Sequence, residues 1–166
     1  MKGLQEIYLK GFSFEKYKSI ASEDELEKLE ELYKNSFISE NLIEKIKKIK
    51  VKTPVLASVE TWCPYARIFL TTIRKINEVN EIFDLSLITY GRGLHDLAGY
   101  LHIEEDDFVV PTAVFFDKEF NNLRVFNGFP EKYHKEDTLD TIDATRNYLK
   151  GKNIDDIVED VLKIFE

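Results

Sequence analysis

Apolar residues are spaced in two ways along this chain. Over residues 1–50 they recur at helical intervals. Ser22 with Glu25 three residues later reads as a capping box, and Leu26, Leu29, Leu32 and Tyr33 then mark one helix face. Ser13 stands before a polar and aromatic stretch ending near Ile20. Leu42, Ile43, Ile46 and Ile49 line one side of residues 41–50. From Thr53 the pattern changes. Residues 54–59 form a short apolar run suited to a buried strand. Ile68, Phe69, Ile73, Ile76 and Val79 then predict a helix over 64–79. Residues 83–90 read as a strand, 94–101 as a helix and 112–116 as a strongly apolar strand. A polar turn over 117–122 leads into a returning strand over 123–126, ended by Asn127-Gly128. The rest, from residue 138 to 165, reads as helical, broken in two near Gly151 and Asn153.

The order β-α-β-α-β-β-α predicts an α/β fold: a mixed sheet with helices on both faces. Its first βαβ unit should be parallel with a right-handed crossover, and its last hairpin antiparallel. Residues 1–50 are expected to be a helical extension packed on a main domain of residues 51–166.

Composition narrows the function classes. The chain has 166 residues, 43% hydrophobic and 13% aromatic, enough for a proper core. A net charge of −8 argues against broad nucleic-acid binding, which relies on cations neutralising phosphates. The one basic run, Lys45-Ile46-Lys47-Lys48-Ile49-Lys50, alternates with isoleucine and reads as the solvated side of a helix end. There is no apolar run of about 20 residues, so no transmembrane helix is expected. The first residues lack the apolar core of a signal peptide. The expected location is the cytoplasm. A single cysteine excludes an internal disulfide framework.

That cysteine is the best candidate for chemistry. It lies in Trp62-Cys63-Pro64-Tyr65, directly after the first strand. Proline is favoured at the first helical position, which puts Cys63 at the N-cap. There its sulfur would face unpaired backbone N–H groups and the positive end of the helix dipole, and both favour the thiolate. Arg67 adds positive charge nearby; Glu60 opposes thiolate formation, and reads either as a local base or as a solvated loop residue. These features predict an activated, accessible thiol; the bland alternative is a small buried filler. His95, His102 and His134 are scattered, and no cluster has zinc-like spacing. Tyr90-Gly91-Arg92-Gly93 reads as a plain turn before a helix, with anion binding as the lesser alternative. Glu104 to Asp107 read as a solvated acidic turn.

Three separated motifs carry a family resemblance. They are the strand leading into Trp62-Cys63-Pro64-Tyr65, the Val109-Val110-Pro111-Thr112 stretch before an apolar strand, and Gly128 at the end of the hairpin. Together with the element order they resemble the thioredoxin-like superfamily over roughly residues 50–165. The helical N-terminal segment and the Trp-Cys-x-x-Ala loop look most like bacterial single-cysteine thioredoxin-family proteins. The resemblance implies that Pro111 is cis and faces Cys63, with the backbone of Val110 offered to an extended substrate. It implies a rim of Trp62, Pro64 and Tyr65.

Two departures limit what is implied. Ala66 replaces the resolving cysteine, and Ala57 replaces the buried acid six residues before Cys63. The first expectation is therefore a monothiol thiol–disulfide oxidoreductase. Cys63 would form mixed disulfides that an external thiol resolves, acting on protein disulfides or small-thiol-capped proteins. No resident cofactor or metal is expected; glutathione or a similar small thiol would be the co-substrate. The alternative is a non-catalytic thioredoxin-like module that binds proteins or peptides.

Overall fold

The computed structural model describes residues 3–135 and 138–166. Four helices come first: α1 (Leu4–Leu9), α2 (Phe14–Ile20), α3 (Glu23–Asn35) and α4 (Glu40–Lys47). Their starts follow local capping chemistry. The Ser13 hydroxyl accepts from Lys16 N, and Ser22 and Glu25 form the full capping box.

The sheet contains β1 (Thr53–Ser58), β2 (Phe83–Ile88), β3 (Thr112–Phe116) and β4 (Asn122–Asn127), in the order β2-β1-β3-β4. β1 and β2 are parallel, joined through α5 (Pro64–Val79). β3 is antiparallel to both β1 and β4. The expected mixed α/β sheet is therefore present, with one parallel strand pair and two antiparallel ones.

Alternation in the central strands divides the core in two. Val55, Ala57 and Phe115 point to a cluster with Phe69 and Ile73 of α5, Leu29 of α3 and Ile157 of α10 (Ile154–Leu162). Leu56, Val114 and Phe116 point the other way, to Ile7 of α1 and Leu97. Both faces are covered, so these strands read as continuous apolar runs rather than alternating ones. Each fully buried Leu, Ile or Phe stabilises the fold by about 1.5–3 kcal/mol.

The two sheet edges are engaged differently. Phe12 exchanges two backbone hydrogen bonds with Leu87 on β2, each 2.8 Å. On β4, Arg124 meets the buried Asp160 carboxylate at 2.7 Å, and the same Asp160 oxygen accepts Glu131 N at 3.0 Å. Covering or charging an edge removes a template for association with other chains.

Several boundaries differ from the sequence reading. β2 stops at Ile88 rather than at residue 90, because Thr89 caps the next helical stretch. That stretch runs as α6 (Tyr90–Arg92), a π-helical turn (Gly93–Leu97) and α7 (Ala98–Leu101), so helix begins four residues before 94. The Glu104 to Asp107 turn contains a 3-10 helix, Glu105–Asp107. α8 (Glu131–Lys135) was not anticipated. α9 (Ile142–Leu149) starts at 142 and not at 138, because the Thr141 hydroxyl accepts from Ala144 N and sets the cap there. The break at Gly151 and Asn153 separates α9 from α10 as read. Among the described residues, no helix is long and apolar enough to cross a membrane.

Candidate functional site

Proline disfavours the α conformation in the residue before it. Cys63 accordingly has extended backbone angles (φ −83°, ψ 116°) and is the N-cap of α5, with Pro64 opening the helix. Arg67 N donates to the Cys63 carbonyl at 3.1 Å, an early turn of the helix. Local sequence thus explains where the cysteine sits. It does not explain where the sulfur points. The side chain makes no capping bond to the helix N–H groups. Its Sγ donates instead to the carbonyl oxygen of Val110 at 3.5 Å. The residue is also only 5% exposed, which corrects the expectation of an accessible thiol.

Val110 is joined to Pro111 by a cis peptide bond. Side chains and backbone around it hold this loop in place. Gly128 N donates to the Pro111 carbonyl at 2.7 Å, and the Thr112 hydroxyl donates to Val109 O at 2.7 Å. Gly128 has a positive φ of 76°, and a Cβ there would press on Val109 at 3.3 Å. The three motifs separated in sequence therefore meet: the Cys63 turn, the Val110-Pro111 turn and the end of β4.

The remaining candidates fall on different sides of this junction. Trp62 is 60% exposed and Val109 is 42% exposed, so an apolar side chain stands in solvent next to each of Cys63 and Val110 in the chain. Tyr65 is not a free rim residue. Its ring packs edge-on to Phe129 at 5.1 Å and lies 6.1 Å from Tyr148. Burial drives it inward, because an aromatic cluster of Phe129, Tyr133 and Tyr148 waits beneath the turn.

Glu60 and Arg67 both brace the backbone. The Glu60 carboxylate accepts Tyr90 N at 2.8 Å, tying the end of the β1 segment to the start of α6. Arg67 Nη1 donates to the Thr61 carbonyl at 2.9 Å. Two residues from the N-terminal helices complete the bracing, Tyr17 with no motif to mark it and Glu25 marked only as the acid of the capping box. Tyr17 Oη donates to the Glu60 carbonyl at 3.0 Å, and Glu25 takes a hydrogen bond from the Thr61 side chain. Burial raises the Tyr17 hydroxyl above its ordinary range; the Arg67 charge opposes the rise, and Cys63, Glu25 and Glu60 add smaller increases. The Glu25 carboxyl is held below its ordinary range, first by the Ser22 N–H and also by Thr61. Only a chain partner 43 residues away reveals Tyr17, and no local signal would have found it.

The other sequence candidates lie elsewhere. His102 caps α7 in a left-handed conformation, and His95 pairs with Asp96 at 2.6 Å. Arg92 reaches the Lys10 carbonyl and Asp96. Among the described residues, no group of three or more His, Cys, Asp or Glu side chains is placed to hold a metal.

A family model described as thioredoxin matches residues 11–141. Among solved structures, the fold is shared with a protein of unknown function from Pseudomonas aeruginosa. It is 23% identical, with 99% of this chain and 98% of that one covered and a TM-score of 0.89. It is shared equally with an HIV epitope-scaffold, 22% identical over the same proportions, with a TM-score of 0.88. No curated protein matches the chain.

Proposed function

The chain belongs to the thioredoxin family, and from that premise we propose that it is a monothiol thiol–disulfide oxidoreductase with Cys63 as its nucleophile. One observation carries the reading. Cys63 Sγ lies 3.5 Å from the Val110 carbonyl, at a helix N-cap beside the cis Val110-Pro111 turn, while Ala66 occupies the place of a second sulfur. This arrangement suits one attack and offers no internal second one.

The chemistry balances without an outside oxidant. The Cys63 thiolate attacks a disulfide formed between a protein cysteine and a small thiol. A bond forms between Sγ and the small thiol's sulfur, the old S–S bond breaks, and the protein cysteine leaves as a thiolate that takes a proton from water. A second small thiol, such as glutathione, then attacks the mixed disulfide as its thiolate. It forms a small-molecule disulfide and releases Cys63. The exposed Trp62 and Val109 are the apolar contacts available to the protein substrate, and the Val110 backbone offers a strand-like edge.

The low exposure of Cys63 supports a second reading, a thioredoxin-like module that binds extended segments without exchange. One experiment separates the two. The protein is incubated with a glutathione-capped substrate and its intact mass followed, with Cys63→Ser as control. Alkylation of Cys63 is titrated against pH in parallel. Oxidoreductase function predicts a Cys63 mixed disulfide and decapping faster than by free glutathione. No mixed disulfide, together with alkylation that rises only above about pH 8.5, as for a free thiol, would leave the binding module.

A further inference from the structure

Beside the Cys63 turn lies a groove of about 590 Å³, between α3, the first turn of α5 and the junction of α9 with α10. Its lining includes Lys28, Glu31, Pro64, Arg67, Lys150 and Lys152. Four cations and one carboxylate line this groove, in a chain of net charge −8. The groove is therefore a local reversal of the molecule's sign.

The cations are not equally engaged. Lys28 pairs with Asp24 at 2.7 Å. Arg67 commits Nη1 to Thr61, one of the five donors of a guanidinium. Lys150 and Lys152 are exposed and have no acidic partner among the described residues. Between them Gly151 is buried at φ 80°, so close to Ser36 and Leu32 that a Cβ would not fit. The two lysines thus flank a backbone turn seated in the core. Tyr148, two residues before Lys150, lies 6.1 Å from the Tyr65 ring, which places this rim beside the redox turn.

We propose that the groove binds the carboxylates of the small thiol carried on Cys63, and so selects a peptide-like anionic thiol over neutral or cationic ones. The inference rests on the monothiol reading above. The volume lies within the range of small-molecule sites, about 300–1,000 Å³. In the mixed disulfide the small thiol's sulfur is bonded to Sγ, its backbone passes Pro64, and its carboxylates meet Lys150 and Lys152. Glu31 disfavours a carboxylate at its own end of the groove and leaves the lysine end for the anion.

The test separates binding from exchange. S-methylglutathione keeps both carboxylates but has no free sulfur. Titrated into the full chain and followed by amide NMR shifts, it should perturb Arg67, Lys150 and Lys152. Lys150→Glu with Lys152→Glu should weaken it about tenfold or more, the size expected for a charged hydrogen bond. The double variant should slow the reaction of Cys63 with glutathione disulfide similarly, and leave its reaction with neutral 2-hydroxyethyl disulfide unchanged. Absent binding, or equal affinity in the double variant, overturns the groove. Normal binding with no reaction towards either disulfide overturns the oxidoreductase reading alone.

Discussion

The hydroxyl of Tyr17 donates to the carbonyl of Glu60 at 3.0 Å. Through this bond the helices before the sheet hold the segment that delivers Cys63. Tyr17 is 1% exposed and Glu60 is half-buried. Tyr17→Phe should destabilise the protein by about 0.5–1.5 kcal/mol, the net worth of one intramolecular hydrogen bond. Urea denaturation measures the loss. Hydrogen exchange at Thr61 to Cys63 should speed up more than exchange in β3, and uniform acceleration would show that the bond does not brace this loop in particular.

Alkaline pH should destabilise the fold before it touches most side chains. Burial raises the hydroxyls of Tyr8, Tyr17, Tyr133 and Tyr148 above the ordinary value of 10.0. The unfolded chain loses these protons near pH 10, while the folded chain keeps them. Their contribution is therefore complete below about pH 10 and declines as pH rises through the folded values. Each fully buried tyrosine adds at most about 1.4 kcal/mol per pH unit to that decline. The urea midpoint should be level from pH 7 to 9 and fall above 10, and Tyr17→Phe should make the fall shallower. A level midpoint to pH 11 would contradict this.

Gly151 has no room for a side chain. A Cβ would lie 2.1 Å from Ser36 Oγ and 3.0 Å from Leu32 Cδ1, at a φ of 80°. Gly151→Ala should cost about 1–3 kcal/mol, from strain and displaced packing together. Ser36→Ala in the same chain removes the closest atom, and the pair should be less destabilised than the sum of the two single changes. Strict additivity would place the whole cost in the backbone.

Ala66→Cys tests what one sulfur leaves out. Residue 66 lies three positions after Cys63, in the first turn of α5, and is fully buried. Residues three apart share a helix face. The added sulfur should expel glutathione from the Cys63 mixed disulfide and form an internal disulfide, at a packing cost of about 1 kcal/mol. Intact mass should show the glutathione adduct as transient in the variant and persistent in the parent chain. Equal persistence would mean that the second position is out of reach.

Much of the fold was legible because its signals are local. The Ser22–Glu25 capping box lies within four residues, and α5 follows a periodic run opened by Pro64. Ile88 and Tyr90 were harder to divide, since a strand end and a helix start compete for the same residues and the Thr89 cap decides between them. The α8 segment was missed because five residues offer no period to read.

By itself the sequence determined the position of Cys63. Proline restricts the residue before it and opens the helix after it, and both effects act between neighbours. It also carried the three motifs whose meeting builds the site. Tertiary structure alone decided the direction of the sulfur, towards Val110 rather than the helix N–H groups. It turned Tyr65 inward, engaged Arg67 and Glu60 with backbone, and gathered Lys150 and Lys152 near Pro64. Apart from Arg67, whose Thr61 partner is six residues away, these depend on partners far along the chain, where burial and hydrogen bonding select one rotamer among several that the local sequence allows equally.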